Sequence, residues 1–220
     1  MPLFFTFSHL TIKENRAIIS PSGEFVTILT LNKTKEYKSM RRHIRFLTHG
    51  AIIGAVYAVL TLATWSFSSM QIQLRVAEAL TVLPLFTPAA IPGLFIGCLI
   101  ANLMSGNVID ALFGSLTTLI AALLTYFIGQ RIKGKAKLPL AVLPPILLNA
   151  VAVPLILYFG YGFKDFLGFD TMLPVLFLNA LSVLIGQFLS CGLLGAPLYF
   201  SLSTIEKRTG IFSKDRSRRE

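Results

Sequence analysis

VIDALFGSLTTLIAALLTYFIGQ (108–130), RIKGKAK (131–137) and LPLAVLPPILLNAVAVPLILYFG (138–160) follow one another in the chain, and their reading decides the fold. Each flank spans enough residues for an α-helix to cross a hydrocarbon layer of roughly 30 Å. Asp110 is the sole ionised side chain in the two flanks, whereas Arg131, Lys133, Lys135 and Lys137 crowd the short connection. Lys and Arg accumulate in the cytoplasmic loops of membrane proteins, so the stretch reads as two membrane helices joined on the cytoplasmic side.

The rest of the chain extends this pattern. Of 220 residues, 54% are hydrophobic and 14% charged, with a mean hydropathy of +0.71. A soluble domain of this length cannot hide that much apolar surface in one core, so lipid is the natural surrounding. The net charge of +10 does not indicate a nucleic-acid face, because 18 of the 20 Lys and Arg fall in three blocks, 13–45, 131–137 and 207–219. Between the blocks the apolar runs predict helix 1 at about 46–67, helix 2 at about 75–88 and helix 3 at about 91–105. Helices 4, 5 and 6 follow at about 108–130, 138–160 and 172–202. Helices 2 and 3 are separated only by the Pro-punctuated turn TPAAIP (87–92). Six crossings put all three basic blocks on one side and leave Arg75 and Lys164 near the other; five or seven cannot. The expected fold is therefore all-α, an integral membrane bundle of six transmembrane helices with both termini in the cytoplasm. Segments 68–74, 106–107 and 161–171 face outside.

Residues 40–204 form the membrane domain in this reading, and 205–220 a basic cytoplasmic tail. Residues 1–39 are polar and patternless, and Met40 stands directly before Arg41-Arg42-His43-Ile44-Arg45. They read as a disordered or spurious N-terminal extension. MPLFFTFSHL (1–10) is too short to span and lacks a basic lead, so no cleavable signal peptide is expected.

Enzyme chemistry finds no support. Gly129-Gln-Arg-Ile-Lys-Gly134-Lys135-Ala136 has phosphate-loop spacing, but Ala136 replaces the hydroxyl residue that would hold magnesium, and the segment follows a membrane helix instead of a strand. Neither H-E-x-x-H nor G-x-S-x-G occurs, and His9, His43 and His49 lie outside or at the edge of the helices. Asn32-Lys33-Thr34 is a glycosylation sequon on the side read as cytoplasmic. Cys98 and Cys191 lie in apolar runs without ligand spacing and read as small core residues. No catalytic residue, metal site, cofactor or ATP site is expected.

Packing and polar residues carry the remaining signal. Gly50, Ala51, Gly54, Ala55 and Ala58 form a stripe of small residues on helix 1, and Gly93, Gly97 and Ala101 another on helix 3. Such stripes let backbones approach closely in lipid, where hydrophobicity gives no pairing force. The stripe on helix 3 reads as internal packing; that on helix 1 is long enough for a second partner. Arg75 and Glu78, three residues apart at the outer start of helix 2, suit a local ion pair, but charge at membrane depth is costly and is by default a functional hypothesis. Asp110 reads as an acid in the first turn of helix 4. Asn102, Asn149, Asn179 and Gln187 fall on helices 3, 5 and 6, where together they can line a polar cavity open to the outside. Around Asn149, Pro144-Pro145 and Pro154 are expected to break helix 5 and free carbonyls.

RVAEALTVLPLF (75–86), AIPGLFIG (90–97) and ANL (101–103) closely resemble the QueT family. The similarity continues through DALFGS (110–115), LPP (143–145) with Asn149, and LGAPL (194–198), covering about 40–202. The resemblance implies the S component of an energy-coupling factor (ECF) transporter, which is a six-helix bundle in a bacterial plasma membrane that captures a queuosine precursor, a deazaguanine, from outside. It also implies as partners a transmembrane coupling subunit and two cytoplasmic ATPases. In S components generally, Ala-rich small motifs on helix 1 contact the coupling subunit; Ala51 and Ala55 match that pattern, within the set Gly50, Ala51, Gly54, Ala55 and Ala58. One departure is Gly186-Gln187, where the family often has an acid after the glycine; it bears on the ligand and not on the fold.

Glu78 then suits the N–H donors of a deazaguanine edge, with Arg75, Asn102, Asn149, Asn179 and Gln187 completing the substrate-binding set. An S component for another small vitamin is the alternative in the same class. An intramembrane enzyme, from a different class, lacks any nucleophile–base or metal pattern.

Overall fold

The computed structural model describes residues 24–64, 75–104, 106, 108–160, 162, 164–166, 168 and 170–212, with side-chain surroundings from residue 36 onward. The loop expected at 68–74 lies outside the described residues, as do 1–23 and 213–220. Residues 1–42 and 43–220 form two compact units. In the first, the Arg41 guanidinium lies 4.9 Å over the centre of the Tyr37 ring.

Among the described residues the regular structure is helical. Helix 1 spans Glu24–Ala63, so part of the stretch expected to carry no element is helical. Helix 2 is a 3-10 helix, Val76–Leu85, and helix 3 is Ala90–Met104. Helix 4 is Val108–Arg131; helix 5 is Lys137–Leu155, prolonged by a π turn, Ile156–Gly160. Helix 6 has three parts: Met172–Gln187, a π segment Phe188–Leu194, and Gly195–Thr209. Among the described residues four stretches are long and apolar enough to cross a membrane: Glu36–Ala63, Val108–Arg131, Lys137–Gly160 and Met172–Thr209. Helices 2 and 3 are apolar but shorter.

Helix 2 shows how a short segment can reach far. Ten residues of α-helix rise about 15 Å, whereas a 3-10 helix of that length rises about 20 Å. A 3-10 run this long has poor hydrogen-bond geometry and needs support. Here every residue from Ala77 to Leu85 is buried, and helices 4 and 6 pack against it. Gly195 permits the approach of helix 6, since a Cβ there would lie 3.2 Å from the Val82 side chain.

The second unit buries polar residues beside an apolar core and exposes large apolar ones. Thr81, Ser115, Thr118, Thr125, Asn149 and Gln187 are buried, while Phe113, Leu116, Ile120, Phe127, Leu147 and Phe177 are exposed. That distribution suits a lipid surround, in which apolar residues need not be hidden and polar ones must be paired internally.

Helices 1 and 3 meet backbone to backbone. A Cβ on Gly93 would lie 2.6 Å from the Gly50 carbonyl oxygen, and one on Gly97 would lie 2.6 Å from that of Gly54. Gly50, Gly54 and Ala58 are buried on this crossing side, whereas Ala51 and Ala55 are exposed. The stripe read as one docking face is therefore two faces: Gly50 and Gly54 are taken up within the bundle, and only Ala51 and Ala55 point away.

Helix 5 also departs from expectation, running unbroken through Pro144 and Pro145. Pro145 cannot donate to the carbonyl of Ala141 four residues earlier, and the Thr125 hydroxyl donates to that oxygen instead, at 2.9 Å. A neighbouring helix thus supplies the missing donor, which is how prolines are tolerated inside membrane helices. Helix 6 stops at Gly210, whose φ of 60° is left-handed. The chain then turns back, so that the Phe212 N–H donates to Glu206 Oε2 at 2.7 Å and its ring lies 5.8 Å from that of Phe86.

Candidate functional site

Arg75, immediately before helix 2, pairs with Asp110 and not with Glu78. Its Nη2 lies 2.5 Å from Asp110 Oδ2 and 3.4 Å from Asn102 Oδ1. Asn102 Nδ2 donates in turn to the Asp110 carbonyl at 3.2 Å. The sequence reading of Asp110 as a helix-end acid is thus incomplete, because its carboxylate closes a brace across helices 2, 3 and 4. Spacing along one helix favours the Arg75–Glu78 pair, but Arg75 precedes helix 2 in extended conformation and its guanidinium lies against the carboxylate from helix 4. Gly114 makes the brace possible, since a Cβ at that position would strike the Asp110 carboxylate.

Glu78 is left with a different environment and is only 1% exposed. The Tyr57 hydroxyl donates to its Oε1 at 2.6 Å, while Oε2 is buried without a hydrogen-bond partner. The Glu78 carbonyl accepts from Thr81 Oγ1 at 2.6 Å and lies 3.4 Å from Cys191 Sγ, which is 3.3 Å from Gln187 Oε1. Helices 1 and 6 therefore meet helix 2 at Glu78, helix 1 at its carboxylate and helix 6 at its backbone carbonyl. Asn149 on helix 5 is 3% exposed, and its Nδ2 is likewise unpartnered. Asn179 instead donates to the Val175 carbonyl of its own helix at 3.1 Å.

The six residues singled out from sequence thus divide. Arg75 and Asn102 are engaged in the brace and Asn179 is bonded within its helix, whereas Glu78, Asn149 and Gln187 belong to elements packed on one another. Tyr57 was missed by the sequence reading, although it follows Gly50 and Gly54 on the same helix face at i+7 and i+3. Cys191, read as a small core residue, contacts both Glu78 and Gln187. Among the described residues no cluster of His, Cys, Asp and Glu could hold a metal ion.

Chemically, the arrangement offers a buried carboxylate oxygen and an amide N–H₂ that the protein itself does not satisfy. Such groups are costly to keep buried unless something outside the chain completes them.

Residues 47–204 match the family described as QueT transporter. A curated protein, "Queuosine precursor transporter QueT" of Lactococcus lactis subsp. cremoris, is 34% identical over 85 residues, which are 38% of this chain and 50% of that protein. The chain thus spans about half the length of the curated relative it matches. No solved structure matches.

Proposed function

The chain belongs to the QueT transporter family, and on that premise we propose that it is the substrate-capturing subunit of an ECF-type, ATP-driven importer of a queuosine precursor. The curated relative's name supports the substrate class. Glu78 carries the reading: a carboxylate at membrane depth, held by Tyr57 at one oxygen and unpartnered at the other. Two adjacent N–H donors on a deazaguanine edge would complete it, and the Asn149 and Gln187 amides would meet the carbonyl side.

Glu78→Gln tests this. The glutamine carbonyl keeps the acceptor for Tyr57, but its amide places N–H groups where a ligand N–H must bond. Calorimetry on the purified chain with 7-aminomethyl-7-deazaguanine is expected to show a loss of about 1.5–3 kcal/mol, the scale of a hydrogen bond to a charged group. Unchanged affinity would mean that Glu78 serves only Tyr57.

The importer reading takes all six helices as spans, with both termini and 131–137 in the cytoplasm of a bacterial cell. Helices 2 and 3 are the shorter pair, and a membrane-depth segment that is largely shielded by protein need not have full spanning length. Cysteine labelling of intact cells should modify Asp165→Cys and spare Lys135→Cys; the reverse pattern overturns the topology. ATP hydrolysis falls to separate cytoplasmic subunits, reached through a transmembrane coupling subunit. Ala51 and Ala55, exposed on helix 1, are the proposed contact.

A further inference from the structure

Ser190 lies within the π segment of helix 6, is fully buried, and its hydroxyl has no hydrogen-bond partner. This is unusual within the chain itself. Ser115, Thr117 and Thr118 on helix 4, and Thr61 on helix 1, all donate to the carbonyl four residues earlier. Ser190 does not, and it sits where the ladder has shifted register: the Gly195 N–H reaches back five residues to the Ser190 carbonyl. Such π segments are often found at functional sites, where they re-aim a side chain at the cost of regular bonding.

Among the described residues three buried atoms share this condition: Glu78 Oε2, Asn149 Nδ2 and Ser190 Oγ. They come from helices 2, 5 and 6, which pack on one another. Leu85, Lys137 and Tyr199 line one cleft and so give a common origin. From there Glu78 is seven residues up a 3-10 helix, about 14 Å. Asn149 is twelve residues up an α-helix, about 18 Å, and Ser190 nine residues up helix 6, about 13 Å. The three residues thus lie about 13–18 Å along their helices from that cleft. Asn179, eleven residues beyond Ser190 along helix 6, is far above it, and its amide is already bonded.

We infer that Ser190 contacts the ligand, and that with Glu78 and Asn149 it reads a planar heterocycle presenting an N–H donor and a carbonyl acceptor on one edge. The inference rests on the substrate-capturing reading above and adds a contact to it. Glu78 Oε2 accepts from the ligand N–H, Asn149 Nδ2 donates to the ligand carbonyl, and the Ser190 hydroxyl gives or takes the third bond. Arg75, Asp110 and Asn102 hold helices 2, 3 and 4 around this group without being consumed by it.

The test joins affinity to stability. Removing an unpartnered buried hydroxyl relieves a desolvation cost in the empty protein and deletes a bond in the complex. Ser190→Ala should therefore bind 7-aminomethyl-7-deazaguanine about tenfold more weakly or worse. The melting temperature of the unliganded full chain should meanwhile equal or exceed that of the wild type. The counterpart lacking the 2-amino group should bind the wild type more weakly than the parent base. Wild-type affinity in Ser190→Ala overturns the inference alone, as does a lowered melting temperature, because the hydroxyl would then be holding the fold. A wild type that binds neither base overturns the importer reading and the inference with it.

Discussion

On the importer reading proposed above, replacing Ala51 and Ala55 together by leucine is expected to abolish uptake of a queuosine precursor while leaving its binding to the purified chain intact. Both alanines are exposed and lie off the side of helix 1 that meets helix 3. Close backbone approach across small residues is the main route to helix association in lipid. Two leucines would push a partner helix outward by about an ångström or more and weaken that packing. Copurification with the coupling subunit should fail together with uptake. Gly97→Ala provides the contrast, because a methyl group there would lie 2.6 Å from the Gly54 carbonyl oxygen and 2.9 Å from the Tyr57 Cβ. Overpacking of this kind costs about 1–3 kcal/mol and displaces the residue that holds Glu78, so binding itself should weaken. If the leucine pair transports normally, Ala51 and Ala55 are lipid-facing and the coupling contact lies elsewhere. If the pair loses binding, the face supports the bundle from within.

Arg75→Gln should destabilise the unliganded chain by about 3 kcal/mol, the lower end for breaking a buried ion pair by removing one member. The lower end applies because the Arg75 and Asp110 side chains keep 18% and 9% of their exposure. The loss comes mainly from the Asp110 carboxylate, left in a site without its cation. Joint replacement, Arg75→Met with Asp110→Leu, should recover much of the stability, since no uncompensated charge remains. Cys98 and Cys191 are both buried, so a fluorogenic thiol reagent reports unfolding directly during heating. Equal stability of Arg75→Gln and the wild type would show that the brace is not structural and would return Arg75 to the ligand contacts.

Much of the membrane architecture was legible in the chain because burial in lipid depends on local composition. Apolar runs can be read one segment at a time: of the six expected spans, four are long enough to cross a membrane among the described residues, although helix 1 begins well before its run. Glu78 was legible for the same reason: an acid within an apolar stretch is conspicuous without any knowledge of its neighbours. The stripes on helices 1 and 3 were visible too, but periodicity does not tell which small residue meets a neighbouring backbone. Only the crossing separated Gly50 and Gly54 from Ala51 and Ala55.

Partner choice belonged to the tertiary structure. Arg75 had an acid three residues away in sequence, yet it pairs with Asp110, 35 residues on, because helix 4 brings that carboxylate within reach. Helix 5 was expected to break at Pro144-Pro145, but Thr125 of another helix supplies a donor to the carbonyl that Pro145 leaves bare. Tyr57 and Ser190 carry no signal of their own, since one is an aromatic in an apolar helix and the other a serine among leucines. Composition sets which segments leave water, because transfer free energy is a property of each segment. Which polar atoms inside find partners is a property of several helices at once, and it is decided only when they pack.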